Sequence, residues 1–86
     1  MSTSDLIRQR LAALEPETYT LEDESAQHKG HAGAARGGHY RLVVVSPKFR
    51  NLSTLSRHRL VYEAMGDLMQ REIHALSITA LTPEEL

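Results

Sequence analysis

The chain has no cysteine and no tryptophan, and its 86 residues include one phenylalanine, three tyrosines and three prolines. Without cysteine there is no disulfide and no thiolate for a structural zinc site, and the chain by itself cannot hold an iron–sulfur cluster. The lack also fits a reducing compartment. Tyr19, Tyr40, Phe49 and Tyr62 are too few and too scattered to form a stacking platform for single-stranded nucleic acid. No purely apolar run is longer than the four residues of Leu42–Val45, far short of the roughly 20 residues that span a bilayer. Met1-Ser2-Thr3-Ser4-Asp5 has neither the basic nor the apolar part of a signal peptide. A soluble cytoplasmic protein with no membrane association is the expectation. The H-E-x-x-H, P-loop, dinucleotide and nucleophile-elbow patterns are also missing. With no catalytic set in view, the chain is not expected to be an enzyme.

At 41% hydrophobic residues the chain can build one modest core, so residues 1–86 are expected to form a single domain. The net charge of −1 conceals a segregation. Residues 28–59 carry Lys29, Arg36, Arg41, Lys48, Arg50, Arg57 and Arg59 and no Asp or Glu. Apart from Asp5, the acids gather in 15–24, 63–72 and Glu84-Glu85. Such a basic segment suits a phosphate backbone or an acidic protein surface, or is ordinary solvated charge.

Local patterns give the element order. Ser4-Asp5-Leu6-Ile7 opens a helix with Ser2, Thr3 and Ser4 as capping candidates and Ile7, Leu11 and Leu14 as its apolar stripe. Glu15-Pro16 ends it, because the residue before proline is pushed out of the α region. Residues 18–24 read as a strand, and residues 25–38, which hold Gly30, Gly33, Gly37 and Gly38, as a long flexible loop. His39 to Ser46 reads as a central strand buried on both faces. A long helix is expected from Ser53 to Arg71, with Leu55, Val61, Ala64, Met65, Leu68 and Met69 on its core side and Gly66 weakening it by roughly 1 kcal/mol relative to alanine. Ile73 to Leu81 alternates as a last strand, and Thr82-Pro83-Glu84-Glu85 has the capping-box pattern of a short C-terminal helical turn. The sum is an α+β fold of order αββαβ. Its three-stranded mixed sheet has the second and third strands parallel, and its helices form a second layer on one face.

Five histidines carry the obvious chemistry: His28, His31, His39, His58 and His74. Singly, each is more often a surface or structural residue than a ligand. Topology groups four of them, since parallel strands opening at His39 and His74 begin at one end of the sheet, where the loop with His28 and His31 arrives. His58 belongs to another surface, roughly 20 Å along the crossover helix. Two imidazoles can ligate one iron of a 2Fe–2S cluster whose other iron is held by sulfur, as in Rieske centres. A second constellation, Arg57-His58-Arg59 with Lys48 and Arg50, offers a phosphate-binding surface at a helix start. Gly30-His31-Ala32-Gly33 matches the G-x-x-G of KH domains but lies between strands rather than helices.

Arg57-His58-Arg59-Leu60-Val61-Tyr62, His74-Ala75-Leu76 and Thr82-Pro83-Glu84-Glu85 together resemble the BolA family. So do Val43-Val44-Val45-Ser46-Pro47-Lys48-Phe49, the histidine-bearing loop His28-Lys29-Gly30-His31-Ala32-Gly33, and His39-Tyr40 at the start of the second strand. The resemblance covers nearly the whole chain in order. It implies a fold related to class II KH domains and a heterodimer with a monothiol glutaredoxin that carries a 2Fe–2S cluster. By resemblance His74 is one ligand and His28 or His31 the second, with the glutaredoxin cysteine and glutathione completing the set. A chain alone would then be a monomer without cofactor. Some members of the family are described as DNA-binding regulators of morphology and stress response, which makes weak DNA binding through Lys48, Arg50, Arg57, His58 and Arg59 the alternative. One departure stands out: the family's F-x-G-x-S reads Phe49-Arg50-Asn51-Leu52-Ser53 here. Asn is the non-glycine residue that best tolerates a left-handed backbone, so the turn is expected to survive.

Overall fold

A computed structural model of the protein describes residues 1–28 and 38–86. Helix α1 spans Thr3–Leu11 and runs on into a 3-10 turn, Ala12–Leu14. Ser2 caps it: its hydroxyl accepts the Asp5 N–H at 3.1 Å, and the Asp5 carboxylate accepts the Ser2 N–H at 3.2 Å. The two groups satisfy amide donors that a helix start leaves without partners. Glu15 takes φ 46° and turns the chain toward the sheet.

Strands β1 (Thr18–Asp23), β2 (Gly38–Val45) and β3 (Ile73–Leu81) form one sheet of order β1-β2-β3. β1 is antiparallel to β2, and β2 is parallel to β3. The two helical segments between β2 and β3, α2 (Thr54–Met65) and α3 (Leu68–Arg71), form the crossover a parallel pair requires. This is the expected α+β architecture. Its core lies between the sheet and the helices. Ile7, Leu11 and Leu14 pack with Val61, Met65 and Leu68 over Tyr40, Leu42 and Val44, around the fully buried Phe49. Ser46 is buried too: its hydroxyl donates to the Leu14 carbonyl at 2.5 Å and accepts the Lys48 N–H at 3.1 Å, fastening the helix end to the end of β2.

Four expectations need correction. The Ser53–Arg71 helix is two helices, because Gly66 adopts φ 57°, ψ −130°, the mirror image of the extended region. Leu55 is not on the core side but 60% exposed. At 100° per residue it falls about 100° away from the Val61–Met65 stripe. β2 is not buried on both faces along its length: Arg41 is exposed and Val43 half-buried, so only Val45 closes the second face. The loop of residues 25–38 begins with a 3-10 turn, Ser25–His28, and ends inside β2 at Gly38. Its remainder, with His31, lies outside the described residues. The turn at Asn51 does survive, with φ 63°, and the C-terminal turn Pro83–Glu85 forms behind the Thr82–Glu85 capping box. Among the described residues, no helix is long and apolar enough to cross a membrane.

Candidate metal centre and basic face

β2 and β3 start at the same end of the sheet. There the register slips: Gly38 is opposite Ile73, but His39 is opposite Ala75, which makes His74 an extra residue in β3. In regular pairing His74 would point away from the face that Ala75 and His39 share. A bulge re-aims a side chain, and the His39 and His74 rings lie with centroids 5.0 Å apart, tilted by 45°. His74 is exposed and His39 half-buried. The His39 backbone is clamped on both sides, its N–H donating to Ser25 Oγ at 3.0 Å and its carbonyl accepting the Glu24 N–H at 2.7 Å. The same Ser25 opens the 3-10 turn that ends at His28, so the His28 backbone arrives at this end of the sheet as well. The Gly38 N–H closes the corner by donating to the Glu72 carbonyl at 2.9 Å. Next to Ile73, the Glu72 Oε2 is buried and has no hydrogen-bond partner among the described residues.

The ring separation is that of an ordinary tilted ring contact and is also compatible with ligation of one ion. Two imidazoles bound tetrahedrally through nitrogens about 2.0–2.1 Å from a metal have ring centres roughly 5 Å apart, close to the separation already present. Among the described residues, no group of three or more His, Cys, Asp or Glu side chains comes together to hold a metal ion. Within the described residues the pair thus lacks a third ligand. His39 is one of the four histidines that topology gathers at this end, although the family resemblance puts the second ligand at His28 or His31. Its signal was its place at the start of a strand parallel to the one carrying His74.

The basic constellation lies at the other end of β3. Arg57 reaches it directly: its Nη1 donates to the Ala80 carbonyl at 3.0 Å and its Nε to the Leu52 carbonyl at 3.0 Å. Ala80 is six residues beyond His74, roughly 20 Å along the strand, so His58, next to Arg57, is remote from the histidine pair. Two of the five basic-face residues are engaged by carboxylates. Arg50 holds Glu84 with two bonds, from Nε at 2.9 Å and from Nη2. Arg57 holds Glu85 with two more, at 2.6 and 3.1 Å. Arg50 keeps the Glu84 carboxyl below its ordinary range. The Arg57 guanidinium, helped by the Thr82 N–H, brings the Glu85 carboxyl down to about 2. Lys48 and Arg59 are exposed and, among the described residues, make no ion pair; His58 is half-buried. The acidic partners of the arginines were present in the sequence as Glu84-Glu85, but nothing local linked them to residues 50 and 57.

A small α+β sandwich on a three-stranded mixed sheet, with a histidine pair at the start of its parallel strands, is the class of domain that this fold and site define. The same architecture occurs in the BolA domain of SufE1 from Arabidopsis thaliana. That structure matches with a TM-score of 0.87 at 40% identity, covering 100% of this chain and 98% of that one. The family model for BolA-like protein matches residues 11–85, and the chain belongs to that family. BolA-like protein 1 of Mus musculus is 44% identical over 73 residues, 85% of this chain and 52% of that protein. The chain thus spans about half the length of the mouse relative. A Haemophilus influenzae protein described as the DNA-binding transcriptional regulator BolA is 31% identical over 99% of this chain and 82% of its own length.

Proposed function

We propose that this chain is a non-enzymatic adaptor that binds a monothiol glutaredoxin and shares a 2Fe–2S cluster with it. The observation that carries the reading is the His39–His74 pair, two exposed or half-exposed imidazoles at ligating separation in a chain without cysteine. His74 supplies one ligand. We take His39, whose ring already lies beside that of His74, as the second ligand in place of His28 or His31. The glutaredoxin cysteine and glutathione would hold the other iron. Imidazole in place of thiolate on one iron raises the reduction potential of such a cluster. The adaptor's own contribution is to orient the two rings: the bulge aims His74, and the Ser25 and Glu24 bonds hold His39.

Mixing the purified chain with a cluster-loaded monothiol glutaredoxin and recording visible absorption and circular dichroism tests this. His74→Ala should abolish the spectral change, His58→Ala should preserve it, and His39→Ala should alter it more than His28→Ala or His31→Ala. A wild-type spectrum from His74→Ala would refute the assignment. A second reading, a DNA-binding regulator, is favoured by the described role of the Haemophilus relative and by the exposed Lys48 and Arg59. On that reading affinity falls steeply with salt, and Arg59→Ala weakens binding equally across sequences.

A further inference from the structure

The basic face is closed by the protein's own acids. Residues 28–59 contain no carboxylate, yet the forks of Arg50 and Arg57 are both filled, by Glu84 and Glu85. A guanidinium fork accepts a carboxylate and a phosphate with the same two-point geometry. Each glutamate thus occupies the place a phosphate would take. Glu17 adds a longer-range attraction to Arg50 without bonding it.

The two pairs differ in how firmly they are held. Arg50 and Glu84 are 51% and 60% exposed, open to exchange with solvent. Arg57 is 13% exposed and is also held by the Leu52 and Ala80 carbonyls, bonds in which Glu85 takes no part. Removing Glu85 would therefore leave a guanidinium already oriented for an anion. The covering turn is short, Pro83–Glu85, and is anchored through the buried Thr82.

We propose that the Pro83–Glu85 turn is an acidic cover that keeps nucleic-acid phosphates off Arg50 and Arg57, so that the basic face binds DNA fully only when Glu84 and Glu85 are displaced. The inference rests on the DNA-binding reading and adds its regulation. Lys48 and Arg59 supply the weak contact of the covered state, and the two released arginines supply two further phosphate contacts.

The test is fluorescence anisotropy of the full chain with a labelled mixed-sequence duplex over a range of salt. Glu84→Gln/Glu85→Gln should bind at least 10-fold more tightly than wild type at low salt. Its slope of log affinity against log salt should steepen by about 2, one unit per added contact. Glu22→Gln/Glu63→Gln, with the same change in net charge, should gain far less. Arg50→Ala on the uncovered background should take back about one unit of slope. Glu84→Gln alone, which leaves the capping box intact, should show about half the effect and covers the case in which the double variant fails to fold. Glutamine variants that bind no better than the charge-matched control overturn the cover. If Lys48→Ala and Arg59→Ala still weaken wild-type binding in that event, the DNA reading survives without it. If no variant binds the duplex, both are overturned.

Discussion

Replacing Gly66 by alanine separates two readings of the crossover by the sign of its effect. In one continuous helix, Gly66→Ala would stabilise the protein by roughly 1 kcal/mol. In the structure Gly66 sits at φ 57°, ψ −130°, a conformation nearly closed to residues with a Cβ and costing about 1–3 kcal/mol when one is forced into it. An added Cβ would also lie 2.9 Å from Arg10 Nη1. That nitrogen donates to the Met65 carbonyl at 2.9 Å, while Nη2 holds Asp67 at 3.0 Å. The flexible guanidinium can retreat, at the cost of a hydrogen bond worth about 1 kcal/mol. Restricting the unfolded chain returns about 0.4–1 kcal/mol. The expected net loss is about 2 kcal/mol, a drop in Tm of roughly 10 °C for a domain of this size. Urea denaturation followed by circular dichroism measures it. The same cost in an Arg10→Ala background would assign the loss to backbone strain, and a smaller cost to the displaced arginine. A Gly66→Ala protein as stable as wild type, or more so, would refute the reasoning.

Asn51 has φ 63°, so Asn51→Gly should leave stability nearly unchanged while Asn51→Val loses about 1–2 kcal/mol in the same urea titration. Ser46→Ala strands the buried Leu14 carbonyl and the Lys48 N–H, which should cost about 1–3 kcal/mol by thermal melting with the fold retained. Acid should destabilise the protein. Glu85 is lowered from 4.5 to about 2 by Arg57, and Asp5, Asp23, Asp67 and Glu84 are lowered as well. A depressed folded-state pKa means that the stabilisation is present above the unfolded value and is lost as pH falls from about 4.5 toward 2. The urea midpoint should therefore fall steadily below pH 4.5, and Glu85→Gln should flatten that fall; an unchanged profile in the variant would show that the Arg57 pair does not contribute.

What the sequence by itself determined is what acts over a few residues. Residue preference for the first strand, an apolar run for the second, alternation for the third and a helical stripe for the first helix placed those four elements. Thr82 with Glu85 marked its capping box, Ser2 stood among three capping candidates for the first helix, and the order of elements led to a mixed sheet with parallel second and third strands. The histidines of the proposed centre could be gathered at one sheet end from topology alone. What only the tertiary structure decided depends on register and on long-range pairing. A single extra residue at His74 chooses which face its ring takes, since side chains alternate strictly along a strand. The break at Gly66 was invisible because glycine is compatible with a weak helix as well as with a turn, and Arg10, far away in the chain, holds the turn in place. The closure of the basic face by Glu84 and Glu85 has the same origin. Opposite charges distant in sequence declare no partnership until the fold brings their forks together.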